Sequence, residues 1–149
     1  MKKILIPLIL AGMLISCNSK SVKTSNEKAP VDNLIASFCN GWNNHDSIAV
    51  RNLFLDDALL IDDNILAANG KELSMKWIKP NMPYIKSITP SKLQEWSSGD
   101  RAGYTGTYKM VYLNKNSVLA YSNGLFTVNW LKTNNGDWKI TTTHIHSLD

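Results

Sequence analysis

The second half of the sequence limits the fold most. It contains long runs with the side-chain alternation of a β-strand, and short polar turn clusters separate these runs. The runs span residues 101–113, 118–131 and 138–146. Large side chains and glycines share one face of the first two runs: Tyr104, Gly106, Tyr108, Met110 and Tyr112 in one, and Gly124, Phe126, Val128 and Trp130 in the other. Alternate side chains of a strand lie on opposite faces, and a glycine within a strand often marks a bend or bulge. The pattern predicts a meander of long, curved strands.

The first half of the sequence has helical periodicity instead. Five apolar residues recur at the spacing of one helix face: Val31, Leu34, Ile35, Phe38 and Trp42. Asp46 is placed to cap a second helix that extends through Phe54, because a carboxylate can accept the free N–H groups of the first turn. Two helices are therefore predicted before the first strand.

A short strand and a third helix are predicted next. Asp56 and Asp57 close the second helix, and residues 58–62 form a short, buried strand. The third helix starts near Gly70 and ends at Pro80, because proline cannot continue the hydrogen-bond ladder. Its core residues are Leu73, Trp77 and Ile78.

The amino-terminal seventeen residues resemble the signal of bacterial lipoproteins. Residues 1–3 give a basic start, residues 4–14 are almost wholly apolar, and Leu14-Ile15-Ser16-Cys17 resembles a lipobox. The apolar run is much shorter than the roughly 20 residues that span a bilayer. The resemblance implies a signal peptide over residues 1–16 and a Cys17 that bears membrane lipid. An ordinary cleaved signal with a chance cysteine remains the alternative.

The lipoprotein resemblance also implies a location in the bacterial cell envelope. Asn18 follows the cysteine, and in this class of protein the absence of aspartate there favours the outer membrane, facing the periplasm. Residues 17–30 are polar and rich in serine and lysine, so they are expected to form a flexible tether. The domain is then residues 31–149, a length that suits a single core.

The charge of the chain argues against nucleic acid as a partner. The whole sequence carries 16 Lys and Arg against 12 Asp and Glu. Five of the basic residues but only one acidic residue precede residue 31, so the domain from residue 31 has 11 of each. A domain without net positive charge lacks the usual electrostatic footprint of nucleic-acid binding.

Several other chemistries are excluded by the sequence. Cys39 is the only cysteine after Cys17, so it has no partner for a disulfide within the domain. No activating base lies near it in sequence, and it is predicted to be a small apolar residue on a helix. The sequence also lacks a phosphate-binding glycine loop, a Gly-x-Ser-x-Gly elbow and a Cys-x-x-Cys pair. No cofactor is predicted.

The order of four short motifs resembles the NTF2-like superfamily, most closely its SnoaL-like and DUF4440 group. The motifs are residues 42–46, residues 53–58, residues 98–108 and the segment from Trp130 through residues 136–140. This resemblance implies an α+β cone in which three N-terminal helices pack on a curved, mainly antiparallel sheet. The fold hosts isomerases, dehydratases, hydrolases and transport factors, so it does not determine a function.

Ketosteroid isomerase, an enzyme of this superfamily, provides a test. It uses an aspartate base and an oxyanion hole formed by a tyrosine and a neutral aspartic acid. Matching its motifs to this sequence places the base on Asp62 and the tyrosine on Phe38, which has no donor. The run over residues 118–131 contains no Asp or Glu. Steroid-type enolisation is not expected, because oxyanion stabilisation is usually the largest single contribution to catalysis.

Asp62 and His144 are the candidate catalytic residues. Asp62 ends the predicted short strand, although the residues that follow it are also typical of a solvated turn. His144 and His146 share one face of a regular strand, and both face inward with Ile140 unless a bulge intervenes. A metal site needs at least a third ligand, which the sequence does not provide, so no metal is predicted. In the SnoaL-like group the last strand often ends with histidine and serine. The resemblance implies that Ser147 corresponds to that serine, with the strand register shifted.

Aromatic side chains are expected to line a pocket in the cone: Phe38, Trp42, Trp77, Tyr104, Tyr108 and Trp130. An apolar cavity with a few polar groups is the usual form of a small-molecule site. Three functions follow: a lipid-anchored protein that binds a small apolar ligand, an enzyme that uses Asp62 with His144, and an interaction module that dimerises through the sheet. The first is favoured because the oxyanion groups are missing.

Overall fold

Three helical segments and one mixed sheet make up the part of the chain that the computed structural model describes, residues 28–63, 65–67 and 69–148. The first two helices are α1 (Val31–Asn43) and α2 (Ser47–Asn52). The third segment combines α3 (Gly70–Glu72), a π-helical turn (Leu73–Ile78) and α4 (Lys79–Asn81). The strands are β1 (Phe54–Asp62), β2 (Ile65–Ala67), β3 (Ile85–Ser98), β4 (Arg101–Leu113), β5 (Leu119–Lys132) and β6 (Trp138–Ser147).

The six strands of this sheet follow the order β2-β1-β6-β5-β4-β3. β1 and β6 are parallel, and the other neighbouring pairs are antiparallel. The described residues therefore form an α+β domain with a mixed sheet. The expectation of three N-terminal helices is met in part, because the third helical segment follows β1 and β2 and so does not precede the sheet.

The second helix and the first strand differ from the predicted boundaries. α2 begins as expected after Asp46, whose carboxylate accepts the N–H groups of Ile48 and Ala49 at 3.1 and 2.8 Å. The predicted end of the helix was wrong, because α2 ends at Asn52 and residues 54–57 begin β1. Arg51 explains the early strand, since its guanidinium donates to the Phe54 carbonyl at 3.0 Å and pairs with the Asp56 carboxylate.

Side-chain hydrogen bonds attach α1 to β3. The amide nitrogen of Asn43 donates to the Ile88 carbonyl at 3.2 Å, and the Ile88 N–H donates to the Asn43 amide oxygen at 2.7 Å. One side chain thus satisfies a donor and an acceptor of the strand, in the manner of a neighbouring strand. This pairing fixes the carboxyl end of α1 over the inner face of the sheet.

The packed domain begins earlier than residue 31. Lys28 pairs with Glu95 at 2.7 Å, and the Ala29 N–H donates to the Ser97 hydroxyl at 3.0 Å. Ala29 is buried. Two residues of the predicted tether, Lys28 and Ala29, therefore contact β3. The predicted signal peptide, Cys17 and the rest of the tether, residues 1–27, lie outside the described residues.

A bulge in β6 changes which residues face the helices. Trp130 of β5 pairs with Ile140, but Asn129 pairs with Thr142, so Thr141 is an extra residue in β6. Ile140 and Thr143 are both fully buried. The inner face therefore changes from even-numbered to odd-numbered positions after Thr141.

This bulge makes the inward orientation of His144 and His146 wrong. Both histidines are exposed on the outer side of the sheet, whereas Ile145 and Ser147 take the inner positions. The alternation of the two preceding runs was predicted correctly, because Tyr104, Tyr108, Phe126 and Trp130 are buried. Within the described residues, no helix is both long enough and apolar enough to cross a membrane.

Gly124 has a steric role on the inner face of β5. A Cβ atom there would collide with the Tyr108 ring and with the backbone carbonyl of His146. The absence of a side chain lets the Tyr108 ring lie across β5 towards β6. This contact explains why a glycine stands between large residues on that face.

We expect Gly124→Val to lower the free energy of unfolding by about 1–3 kcal/mol, because the new side chain forces the Tyr108 ring or the backbone to move. Urea denaturation followed by circular dichroism measures this change. Leu125→Val is the matched control, since Leu125 lies next in the same strand on the exposed face. Equal effects of the two substitutions would contradict the steric role of Gly124.

Candidate functional site

A cavity of about 300 Å³ lies between α1, the third helical segment and the inner face of the sheet. Its aromatic wall consists of Phe38, Trp42, Trp77, Tyr84, Tyr108, Tyr112 and Phe126. Its polar wall consists of Asp62, Asp63, Asn81, Ser122 and Ser147. This size and composition are typical of a site for a small molecule.

Asp62 lies at the end of β1 and faces this cavity. The indole N–H of Trp77 donates to its carboxylate at 2.6 Å. Trp77 belongs to the π-helical turn, so this hydrogen bond connects the third helical segment with the end of β1. The carboxylate of Asp62 is therefore partly buried and accepts its hydrogen bond from an uncharged donor.

The surroundings of Asp62 raise the pKa of its carboxyl group. Burial is the main cause, because it disfavours the charged form. The hydrogen bond from Trp77 acts in the opposite direction, and the charge of Asp63 adds to the rise. A carboxyl group in a cavity with a raised pKa can accept or hold a proton more readily than an exposed aspartate.

Asp63 forms a second acidic group at the cavity rim. Its backbone has a φ of 43°, in the left-handed region that aspartate tolerates in turns. Its carboxylate lies 2.9 Å from Nδ1 of His146 and accepts the Ser147 N–H at 3.3 Å. The turn after β1 is thus fastened to the end of β6.

Three hydroxyl groups meet on the sheet side of the cavity. The hydroxyls of Ser122 and Ser147 lie 3.3 Å apart. Burial raises the pKa of the nearby Tyr108 phenol and outweighs these two serine hydroxyls, which lower it. The nearby charges of Asp62 and Asp63 also raise it. A neutral phenol with serine partners is therefore a hydrogen-bond donor available in the same cavity as Asp62.

Sequence reasoning found only part of this hydroxyl cluster. Tyr108 was predicted to line a pocket as an aromatic side chain, and Ser147 was identified only through the resemblance. Ser122 was missed, although it shares the inner-face alternation of Gly124 and Phe126. That shared periodicity was the signal that could have identified it.

Two further side chains of the cavity wall come from α1. Trp42 is almost completely buried, and its indole nitrogen has no hydrogen-bond partner among the described residues. Cys39 is also buried, and burial raises the pKa of its thiol to about 11. Since the thiolate is the nucleophile, Cys39 is suited to packing and not to covalent chemistry.

The predicted site residues within the described part of the chain separate into three groups in the structure. Phe38, Trp42, Trp77, Tyr108 and Asp62 line the cavity. Tyr104 and Trp130 are buried in the core but do not line it. His144 lies on the outer face because of the bulge, so the structure does not bring it together with Asp62. In the described part of the chain, no cluster of three metal-binding side chains is present.

Comparison with known proteins supports the fold. No protein-family model matches the sequence, and no curated protein is similar to it. A ketosteroid isomerase-like protein from Erwinia carotovora atroseptica SCRI1043 has a similar structure, with a TM-score of 0.74 and 16% identity over 84% of this chain and 98% of that chain.

Two other solved structures are also similar. An NTF2-like superfamily protein from Salmonella enterica serovar Typhimurium LT2 has a TM-score of 0.70 and 14% identity, covering 78% of this chain and 87% of that chain. An NTF2-like protein with a cystatin-like fold from Novosphingobium aromaticivorans has a TM-score of 0.65 and 13% identity, covering 80% of each chain. The chain therefore has the NTF2-like, cystatin-like fold, as the sequence resemblance implied.

The pKa of Asp62 predicts how stability depends on pH. A carboxyl group whose pKa is higher in the folded than in the unfolded chain makes the folded state less stable as pH rises between the two values. Asp62→Asn removes this effect and keeps an acceptor for the Trp77 indole. We therefore expect the native chain to gain stability relative to Asp62→Asn as pH falls from neutral through that window.

Urea denaturation at several pH values between 7 and 3 measures this difference. Asp57→Asn is the matched control, because Asp57 lies on the same strand with its side chain exposed. A difference between native and Asp62→Asn that stays constant with pH would contradict the raised pKa of Asp62.

Proposed function

We propose that this chain is a lipid-anchored binding protein whose cavity holds a small, mostly apolar ligand. The open cavity of about 300 Å³ supports this function most directly. An interaction module would not need such a space, and packed protein interiors leave few voids larger than a water molecule. The aromatic wall supplies apolar contact area, and a few polar groups supply orientation.

Lipid anchoring is the second part of the proposal. It rests on the resemblance of the segment that ends at Cys17 to a lipobox, and on the polar, lysine-rich segment that follows. Acyl chains on Cys17 would hold the protein in the bacterial outer membrane, with the domain in the periplasm. We also assign the domain to the SnoaL-like and DUF4440 group, on the order of its motifs.

Proton-transfer catalysis by Asp62 is a second candidate function. The observation that favours it is the hydroxyl cluster of Tyr108, Ser122 and Ser147, which places donors in the same cavity as a carboxyl group of raised pKa. Such a pair could perform an isomerase or dehydratase reaction on a carbonyl compound. Binding is placed first because it requires only the cavity.

Dimerisation through the sheet is compatible with both functions. Leu119, Tyr121 and Leu125 are exposed on the outer face of β5. An exposed apolar patch on a sheet is a common interaction surface. We propose it as the surface through which a homodimer would form.

A neutral fluorescent probe tests the binding function. We expect N-phenyl-1-naphthylamine to bind the domain saturably with one site, because its two aromatic ring systems match the apolar wall. Met110→Trp should weaken this binding about tenfold or more, since Met110 lines the cavity and a larger side chain would fill it. Val111→Trp is the control on the opposite face of β4. Equal binding by both variants would place the probe outside the cavity.

Fractionation of bacterial cells tests the anchor. We expect the native chain in the membrane fraction and Cys17→Ser in a soluble or unprocessed form, because the thiol that accepts the lipid is missing. Cys39→Ser is the matched control, since it removes the other cysteine. Mass spectrometry of the amino-terminal peptide measures the acyl chains directly. A native peptide without acyl chains would contradict the anchor.

A further inference from the structure

The charges around the cavity restrict the kind of ligand that it can hold. Two carboxylates, Asp62 and Asp63, belong to its wall, and the described residues that line it include no Lys, Arg or His. Like charges repel within a partly buried space of low dielectric constant. The cavity therefore disfavours carboxylic acids and other anions.

The two carboxylates differ in their partners. Asp63 lies beside the His146 imidazole and accepts the Ser147 N–H. The neutral Trp77 indole donates a hydrogen bond to Asp62, and no ion pair between described residues involves Asp62. An ionised carboxylate in a partly buried position is costly when no cation compensates it. A ligand can supply the missing positive charge.

The aromatic wall of the cavity provides a second, independent feature. The indole rings of Trp42 and Trp77 pack edge to face, with centroids 4.8 Å apart and an interplanar angle of 76°. Phe38 stacks on Trp77 at 6.5 Å with an interplanar angle of 20°. Aromatic rings attract cations through their faces, tryptophan most strongly, and cages of such rings recognise substituted ammonium groups.

We infer that the cavity takes an organic cation, a substituted amine or quaternary ammonium group on an apolar body, with Asp62 as its counter-ion. This inference rests on the proposed binding function and adds the chemical class of the ligand. The apolar body contacts the aromatic rings of the cavity, and the ammonium group lies beside the carboxylate of Asp62. The hydroxyl groups of Tyr108, Ser122 and Ser147 hydrogen-bond to a hydroxyl or carbonyl group of the same ligand.

Three probes of similar size test the charge preference of the native protein. Benzyltrimethylammonium is the cation, neopentylbenzene is its neutral isostere, and 3-phenylpropionate is the anion. We expect isothermal titration calorimetry to give about tenfold tighter binding of the cation than of the neutral isostere, and the weakest binding for the anion.

Substitution of Asp62 tests the assigned counter-ion. In Asp62→Asn the ratio of the dissociation constants of the neutral isostere and the cation should fall towards one. Asp57→Asn should retain the native ratio, because the side chain of Asp57 is exposed outside the cavity. The near-ultraviolet circular dichroism spectrum establishes that each variant is folded. A preference that persists in folded Asp62→Asn would overturn the role of Asp62.

The other outcomes separate the two proposals. Neutral binding as tight as cation binding would overturn the inference and leave the proposed binding function intact. Tighter binding of the anion than of the cation would also overturn the inference. If none of the three probes and no N-phenyl-1-naphthylamine binds, both the inference and the proposed function fail.

Discussion

One extra residue in β6 determines the chemistry of the cavity. Before Thr141 the buried side chain of the strand is Ile140, and after it the inner positions belong to Thr143, Ile145 and Ser147. A regular strand would place two imidazoles where Ile145 and Ser147 now lie, close to the carboxylates after β1. The bulge instead keeps the wall acidic, gives Tyr108 a serine partner, and leaves His146 outside to hold Asp63.

The fold could be predicted largely from periodicity and turn residues. The runs at 101–113, 118–131 and 138–146 correspond to β4, β5 and β6 almost residue for residue, because each is long and bounded by strong turn signals. The end of α2 could not be predicted from the sequence. A short apolar segment fits both a helix and a strand, and the tertiary contacts of Arg51 decide between them.

The sequence predicted individual residues of the site but not the contacts between them. Asp62 was identified by matching the ketosteroid isomerase motifs to the sequence and by its position at the end of a strand, and part of the aromatic wall was expected from the cone-shaped fold. The hydrogen bond from Trp77 joins residues 15 positions apart and depends on the π-helical turn, which leaves no periodic trace in the sequence. The orientation of His144 depended on a bulge, and a run of threonines does not specify where the extra residue falls.

The contacts of Lys28 and Ala29 also bear on how the β3 edge of the sheet avoids pairing with a strand of another chain. β3 is an edge strand, and an edge with unpaired backbone groups is a template for pairing with another chain. The N-terminal segment crosses this strand at Glu95 and Ser97, and Lys92 adds ion pairs to Asp32 and Glu95 beside it. Charged side chains thus accompany this edge strand. These charges make pairing between this edge and a strand of another chain unfavourable.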